Sequence, residues 1–318
     1  MKLCKIKAEY IPQKPLIQGI YEKIEIGGRT CYKSEGNTKY DEYGNSTTAE
    51  SFANNLVNVK KHQSVAEHAT IYLKIPWDRG IEVYEYLFKN PYSHVNEDNV
   101  WGISYITTNY RVILDSPYGW EEYEPFLSEF CEGYHEPRYT FRVFTDRGVT
   151  AEMNRHRVHS PSERSTRYCD YSDDDKFGGM HVILPQEFKN DEEAIENANL
   201  FEMMRQVVED RYHAWEDLDY WLLSNLTAEF CYTKLIKNCD WKPQQARRVL
   251  PFDIESEIVV TAFEKHWIKF MGERLYGVTG APHPDMVLTA KAILEEFKKH
   301  RPEFVKKIED KNGPAIDK

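Results

Sequence analysis

Apolar and polar residues alternate along several short segments of the chain, which is the spacing of a β-strand with one buried face. Residues 69–75 (ATIYLKI) alternate β-branched and aromatic positions, and residues 138–145 (RYTFRVFT) repeat the pattern. Residues 101–114 favour one strand or a hairpin, and residues 255–263 favour a strand or the start of a helix. These segments predict strands spread along the whole chain.

Apolar residues three and four positions apart predict helices between these strands. The strongest pattern covers residues 191–223, where Asn190 or Asp191 would cap the helix. Gly27-Gly28 is expected to end the first of the other helices. Those helices are predicted at 17–24, 50–59, 120–134, 149–157, 265–276 and 286–299.

Strands interleaved with dominant long helices are typical of an α+β fold. We expect a single domain over residues 1–318, with a mixed or antiparallel sheet packed by the long helices. The stretch at 76–138 carries elements of its own and is predicted to be an inserted arm.

The composition is that of a globular protein and narrows the possible partners. With 318 residues, 41% of them hydrophobic, the chain can bury a substantial core without disulfides or metals. No apolar run approaches the roughly 20 residues of a membrane-spanning helix, and no secretory signal is present. Six scattered cysteines without CxxC pairs are typical of reduced, cytoplasmic proteins. A formal charge of −11 argues against broad binding to nucleic acid.

One local concentration of positive charge lies in this acidic chain. Residues 155–168 (RHRVHSPSERSTRY), here called the arginine segment, hold four arginines and one glutamate. Arginine forks bind phosphate and carboxylate, and like charges packed this densely repel one another unless an anion lies among them. The segment therefore favours an anion site. The other interpretation is a solvated basic loop that pairs with surplus surface acids.

The spacing within the arginine segment resembles a known family. Arg155-His156-Arg157, followed after seven residues by Ser165, fits the RHR-x7-S pattern of the flavin-dependent thymidylate synthases. Further residues in register with that family are Ser160, Glu163, Arg167 and Tyr168. Three more blocks resemble it in order: residues 62–68 (HQSVAEH), 245–251 (QARRVLP) and 270–274 (FMGER).

The resemblance implies two sets of binding residues. Those implied for FAD are Ser64, Arg155, His156, Arg157, Glu163, Lys265 and Lys269. Those implied for dUMP are Glu152, Arg155, Glu163, Arg164, Ser165, Thr166, Arg167, Arg247 and Arg274. Arg167 and Arg247 would clamp the 5′-phosphate, and Ser165 would bind the substrate instead of attacking it. Arg274 is the expected catalytic residue, placed to stabilise negative charge that develops on the uracil ring.

The resemblance also implies a reaction and an assembly. Methylenetetrahydrofolate would donate a methylene group to C5 of dUMP, and hydride from reduced FAD would complete the methyl group of dTMP. NADPH would then reduce the flavin again, so the cofactor supplies the chemistry while the protein supplies orientation and charge. A homotetramer is expected, in which several subunits contribute to each active site.

Four positions depart from the family pattern. Glu152 stands where the family usually has Gln, and an ionised carboxylate accepts hydrogen bonds but donates none. Phe263, Lys265 and Lys269 occupy positions where relatives carry the Asn and Arg that touch flavin. Lys265 would replace Arg as a point charge without its fork geometry.

Other functions stay open on the sequence. The arginine segment would also suit a non-catalytic nucleotide- or RNA-binding protein, although the total charge disfavours it. A methyltransferase that uses flavin and folate on another uracil is a further alternative. No metal site is expected, because the histidines at 62, 68, 156 and 159 lack neighbouring ligands at zinc spacing. Cys169, without a placed base, is expected to be a buried apolar residue and not a nucleophile.

Overall fold

The computed structural model describes residues 1–173 and 179–313. The strands are β1 Lys2–Cys4, β2 Lys7–Tyr10, β3 Thr70–Pro76, β4 His94–Asp98, β5 Ile103–Asn109, β6 Arg138–Asp146, β7 Ser160–Glu163, β8 His181–Ile183 and β9 Glu255–Phe263. The helices are α1 Leu16–Tyr32, α2 Ala49–Asn54, α3 Ile81–Lys89, α4 Tyr110–Leu114, α5 Arg147–Met153, α6 Glu192–Glu196, α7 Leu200–Val208, α8 Asp217–Cys239, α9 Pro243–Ala246, α10 Glu264–Arg274, α11 Pro284–His300 and α12 Pro302–Asn312. The α+β class predicted from the sequence is confirmed.

A four-stranded antiparallel sheet with the order β2-β6-β9-β7 lies at the centre of the fold. One face packs on α10, α11 and α12 through a dry core, which includes Phe141, Val260, Trp267, Phe270 and Phe297. The other face carries polar residues and packs against α1 and the 3-10 turn Gln63–His68. β9 is buried along its whole length, because both faces of the sheet are covered there.

A second antiparallel sheet, with the order β3-β5-β4, draws two strands from the predicted arm at 76–138. The segment predicted at 101–114 is accordingly a hairpin strand that continues into α4. The helix predicted at 120–134 is wrong: the chain forms the short 3-10 turns Trp120–Glu122 and Glu124–Phe126. Pro125 lacks a backbone N–H, and Gly133 has a φ of 80°, so neither residue suits the interior of a helix.

The third sheet pairs β1 with β8 in parallel and is flanked by α6, α7 and α8. The helix predicted at 191–223 is wrong as a single element. Asn199 caps α7 by accepting from the N–H of Glu202, and Asp210 then turns the chain with a φ of 56°. Glu216 and Asp219 form a capping box that starts α8 afresh. These polar residues form hydrogen bonds with the backbone at the helix ends. The spacing of the apolar residues does not show where such ends occur, so the pattern predicted one continuous helix.

α1 runs past the glycines that were expected to end it. A Cβ at Gly27 would lie 2.6 Å from the ring of His68, and one at Gly28 would lie 2.4 Å from Leu56. The glycines therefore let α2 and the turn Gln63–His68 approach the helix closely, and the helix continues to Tyr32. Close packing, not termination, explains the pair.

The other strands and helices that the sequence predicts lie close to their predicted places, with ends shifted by a few residues. They are β3, β6, β9, α2, α5, α10 and α11. Across residues 1–173 and 179–313, no helix combines the length and apolar character that crossing a membrane requires.

Candidate active site

The register of β7 with β9 decides what the two ends of the arginine segment meet. Ser160 pairs with Thr261 and Glu163 pairs with Ile258, in antiparallel sense. The His156 end of the segment therefore lies beside the end of β9 that leads into α10. The opposite end lies beside the start of β9, which the turn Arg247–Val249 precedes.

Arg274 joins two other predicted site residues at the His156 end. Its Nε donates to Nε2 of His156 at 3.0 Å, and its Nη1 donates to Oε2 of Glu152 at 3.1 Å. Glu152 comes from α5, His156 from the turn after α5, and Arg274 from the last turn of α10. Three segments thus converge, and the ring nitrogen and the carboxylate together hold the guanidinium in one orientation.

His156 is buried and neutral at physiological pH. Burial, followed by the charge of Arg274, lowers the pKa of His156 to about 4. Because Nε2 accepts from Arg274, the proton of the neutral ring belongs on Nδ1, which lies 3.8 Å from Oε2 of Glu273. The ring stacks on His159 at 5.2 Å and meets Phe270 edge-on at 5.0 Å. These contacts fix the group that accepts from Arg274.

Arg164 lies inside the protein, with only 2% of its surface exposed. Its Nη1 donates to Glu255 and its Nη2 to Glu257, both at 2.7 Å. Glu257 also pairs with Lys33 at 3.3 Å and with Arg142 at 3.1 Å. The residue predicted to touch dUMP therefore anchors the arginine segment to β9 through a buried ion-pair network.

Glu163 is likewise engaged with its own chain. Its Oε1 accepts from the hydroxyls of Thr150 at 2.7 Å and Ser256 at 2.8 Å, and lies 3.3 Å from Nη1 of Arg147. These partners come from α5 and β9, so Glu163 links the helix to the sheet directly beneath the segment. The sequence had assigned Glu163 to both FAD and dUMP.

The far end of the arginine segment gathers the predicted phosphate-binding residues. Arg247 donates from Nη1 to the hydroxyl of Thr166 at 3.3 Å. The backbone N–H of Arg167 donates to Oγ of Ser165 at 3.2 Å, and Ser165 is itself tied by its N–H to the carbonyl of Cys31 at 3.1 Å. Arg167 and Arg247 are both exposed at this end. Ser165 holds the turn that presents them.

Ser64 lies exposed on the 3-10 turn that packs against α1 and β7. A row of rings connects this turn to the arginine segment: His62 and Tyr32 have centroids 6.0 Å apart, and Tyr32 and Tyr168 have centroids 5.4 Å apart. Tyr32 was not predicted from the sequence, because it belongs to α1 and only the fold brings it here.

Several cations beside the site are exposed, and most of them form no ion pair with the described residues. Arg155 and Arg157 form no ion pair with any residue in the described part of the chain. Lys265 lies on α10 with Nζ 5.6 Å from the ring of Phe263, and Lys269 reaches Glu273 only at 3.8 Å. The chain has 52 acidic residues against 41 basic ones, so unpaired arginines do not fit a basic loop neutralised by surface acids.

Two contributors were missed from sequence because their roles depend on tertiary contacts. Glu273 faces His156, although its place next to Arg274 in the FMGER block was a signal. Arg147 pairs with Glu163, and nothing in its own neighbourhood indicated that. Among the residues that the structure describes, no group of three His, Cys, Asp or Glu side chains is placed to hold a metal ion.

The fold and these contacts define an α+β protein with an edge of exposed arginines beside the central sheet. The chain matches the family described as thymidylate synthase complementing protein over residues 134–303, more than half of its length, and it belongs to that family. The match includes the arginine segment, Arg247 and Arg274. The resemblance to the flavin-dependent thymidylate synthases is thereby confirmed, and the chain is an enzyme of that class.

Two further comparisons add little. No curated protein matches the chain. Among solved structures, it is similar to flavin-dependent thymidylate synthase ThyX from Helicobacter pylori complexed with FAD and dUMP, at 14% identity and a TM-score of 0.39. That similarity covers 96% of this chain and 99% of the other. With a TM-score this low, the site is described from the contacts within this chain alone.

Proposed function

We propose that this protein methylates dUMP to dTMP at the arginine segment, with FAD as its cofactor. The observation that carries the proposal is the convergence of Arg274, His156 and Glu152 beside exposed arginines that lack acidic partners. A charged group held by preorganised neighbours suits a reaction in which negative charge builds on a bound ring. Family membership supports the same assignment.

The residues around the segment fit FAD. Arg155 and Arg157 present exposed guanidiniums, and a pyrophosphate offers the paired oxygens that such forks bind. Ser64 on its exposed turn and the amines of Lys265 and Lys269 would complete the contacts, the lysines serving as point charges. When bound, FAD supplies the hydride that completes the methyl group, after reduction by NADPH.

Arg167 and Arg247 form the proposed clamp for the 5′-phosphate of dUMP. Both are exposed at the same end of the segment, and the hydroxyl of Thr166 steadies Arg247. Ser165 positions the nucleotide, because its Oγ already accepts from the chain and no histidine of the described residues hydrogen-bonds to it. Nucleophilic attack would need such a base.

Arg274 is the proposed catalytic residue. For C5 of uracil to attack the methylene group of the folate, electron density must first build on the ring, and a fixed guanidinium beside the ring would lower the barrier by stabilising that negative charge. His156 and Glu152 already hold the guanidinium, so little reorganisation is required. Glu152, which stands in place of Gln, therefore orients Arg274 and offsets part of its charge.

Arg164 and Glu163 are proposed to act by positioning instead of by contact with dUMP. Both side chains are occupied by partners on β9 or α5, and together they fix the path of the segment between its two ends. The nucleotide would then be bound by the residues that follow, the half-buried Ser165 and the exposed Arg167.

The co-substrates and the assembly complete the proposal. Methylenetetrahydrofolate is the one-carbon donor and NADPH the reductant. Arg274 contacts the arginine segment before β7 and Arg247 contacts it after β7, so a homotetramer whose subunits share each site would gather the full set. Six free cysteines suit a reducing cytoplasm. We propose one domain over 1–318 with the arm at 76–138 as an insertion, and neither nucleic acid nor membrane as a partner.

The test begins with the colour of the purified protein. It should be yellow from non-covalently bound FAD, and with dUMP, methylenetetrahydrofolate and NADPH it should form dTMP. Replacing Arg155 and His156 together by Ala should leave a folded but colourless protein. The control variant, in which the exposed Arg205 and Arg211 are both replaced by Ala, should stay folded and yellow. A colourless wild-type protein that binds RNA would favour the non-catalytic class. Methylation of uracil in tRNA but not of dUMP would favour the other methyltransferase.

A further inference from the structure

A cavity of about 780 Å³ lies beside β2 and β6 of the central sheet. Tyr10 of β2 and Arg138 and Tyr139 of β6 form its sheet wall, and β7 lies two strands away at the other edge. Arg301, at the start of α12, and Tyr72 of β3 close other sides. Its volume falls within the range of small-molecule sites.

Arg138 is the unusual residue in this wall. Its Nη1 and Nη2 donate to Thr70 and to the carbonyl of Glu67, but its Nε is buried without a hydrogen-bond partner in the described chain. No carboxylate of the described residues forms an ion pair with it. Burial lowers the pKa of Arg138 to about 10, which leaves the guanidinium charged at neutral pH. Arg138 as a whole is half-buried, and a cation removed from water without an acidic partner is costly unless an anion binds there.

A fully buried basic residue accompanies Arg138. Lys23 is 3% exposed and donates to the carbonyl of Ile11, again without a carboxylate partner in the part of the chain described here. Burial, and then the charge of Arg138, holds the pKa of Lys23 well below its usual range. Both groups are thus short of negative charge at the same place.

The remaining walls are aromatic, and their acids are either paired or peripheral. Arg301 lies 5.7 Å from the ring of Tyr10 and 6.0 Å from that of Tyr139. Glu264 is neutralised by Lys307 at 2.6 Å and accepts from Tyr139 at 2.9 Å. The other lining acids belong to the arm or to the start of α12, and none reaches Arg138: Glu129, Glu132, Glu136 and Glu303.

We propose that this cavity binds a planar aromatic molecule that carries one carboxylate or phosphate group. The anionic group lies at Arg138, within reach of Arg301, and the ring lies among Tyr10, Tyr72 and Tyr139. Arginine forks supply charge-assisted hydrogen bonds to either anion, and tyrosine rings supply flat apolar contacts. None of the residues assigned above to FAD or dUMP lines this cavity, so the proposal does not depend on the proposed function.

Calorimetry on the full-length protein tests the proposal with three probes: naphthalene-2-carboxylate, its neutral carboxamide and phenyl phosphate. One or both anions should bind, and the carboxamide should bind at least about tenfold more weakly than the carboxylate or the phosphate. The stronger anion identifies which group the cavity takes. Absence of binding by both anions, or equal binding of the carboxamide, would overturn the proposal.

Two variants locate the binding. Arg138→Gln should weaken the anion at least about tenfold and leave the carboxamide unchanged, whereas Arg111→Gln on α4 should change neither. Because Arg138 also supports Thr70 and Glu67, Arg301→Gln provides an independent change on another wall with the same expected direction. Wild-type affinity in both variants would contradict the site. So would displacement of the probe by FAD or dUMP, which would place it at the arginine segment.

Discussion

At the scale of single residues, Arg274 has a geometry that a mobile surface arginine lacks. Two different nitrogens donate to two different acceptors, His156 and Glu152, and 23% of its side chain stays exposed. The planar fork makes this possible, because one delocalised cation can satisfy a ring nitrogen and a carboxylate together. The remaining exposed surface is what a bound uracil would meet.

Arg274→Lys should lower the rate of the chemical step by about 100–1000-fold, as expected for losing one preorganised charge. An ammonium on a flexible stem cannot keep both contacts and face the ring. The measurement is single-turnover oxidation of reduced flavin by methylenetetrahydrofolate with dUMP saturating. Arg247→Ala is the matched contrast: it should raise the KM for dUMP and spare this rate, since phosphate contacts exist in ground and transition states alike. A wild-type rate in Arg274→Lys would assign the residue to structure.

Arg164→Gln tests whether this residue positions the segment or binds dUMP. The substitution leaves Glu255 and Glu257 buried with one cation fewer, which should cost about 3–5 kcal/mol in the free energy of unfolding. Urea unfolding measures the loss, and the exposed Arg211→Gln should show none. A variant with wild-type stability but a raised KM for dUMP would show that Arg164 contacts the nucleotide instead.

At the scale of elements, the turn Gln63–His68 is fastened to the central sheet by one buried histidine. Nδ1 of His68 lies 2.9 Å from the hydroxyl of Thr261 on β9, and the ring fills the space that Gly27 leaves on α1. Burial lowers the pKa of His68 to about 3. Helix, turn and sheet therefore meet at a ring that must stay neutral.

The free energy of unfolding should consequently decrease as the pH is lowered. Below about pH 6.5 the unfolded chain takes up a proton at His68, while the folded chain does so only near pH 3, so unfolding becomes easier as pH drops through that window. At pH 5 the difference amounts to about 2 kcal/mol. His68→Gln should remove this part of the slope in urea unfolding between pH 7 and pH 5, whereas exposed His213→Gln should keep it. Identical slopes in the wild type and His68→Gln would refute the assignment.

At the scale of the whole molecule, one chain separates residues that the proposed reaction needs together. Arg274 contacts the arginine segment before β7 and Arg247 contacts it after β7, and the segment is open to solvent along Arg155 and Arg157. A neighbouring subunit that covers this edge would bring complementary residues to each end. This arrangement leads to a test of subunit sharing.

Arg247→Ala and Arg274→Ala proteins, assayed at a dUMP concentration well below the raised KM of Arg247→Ala, should regain part of the wild-type activity after subunits are exchanged between them. A shared site would then be intact wherever one of its two native residues comes from one subunit and the other comes from a neighbouring subunit. Dissociation and reassociation followed by a dTMP assay measures the recovery, and mixing without exchange is the control. Sedimentation that shows a fully active monomer would rule out the tetramer.

The pattern of the chain was enough for elements whose signal is local. β3 and β6 alternate, and α10 and α11 keep a helical period, because one face of each is buried more deeply than the other. The 191–223 prediction failed for the same local reason, since Asn199 and Glu216 satisfy helix ends that the apolar period ignores. The RHR-x7-S spacing identified the segment, because residues joined along one strand and its turns keep their order in space.

The sequence by itself determined the α+β class, the position of the arginine segment and the family to which the chain belongs. Only the tertiary structure decided which arginines are free. Arg164 is buried by Glu255 and Glu257, 91 and 93 residues further on, while Arg155 and Arg157 stay exposed. The physical reason is the pairing of β7 with β9: a shift of one residue would turn every side chain to the other face. The spacing of residues along the chain identifies the motif. The register of β7 against β9 determines which of its arginines pair with buried carboxylates and which stay exposed to bind a ligand.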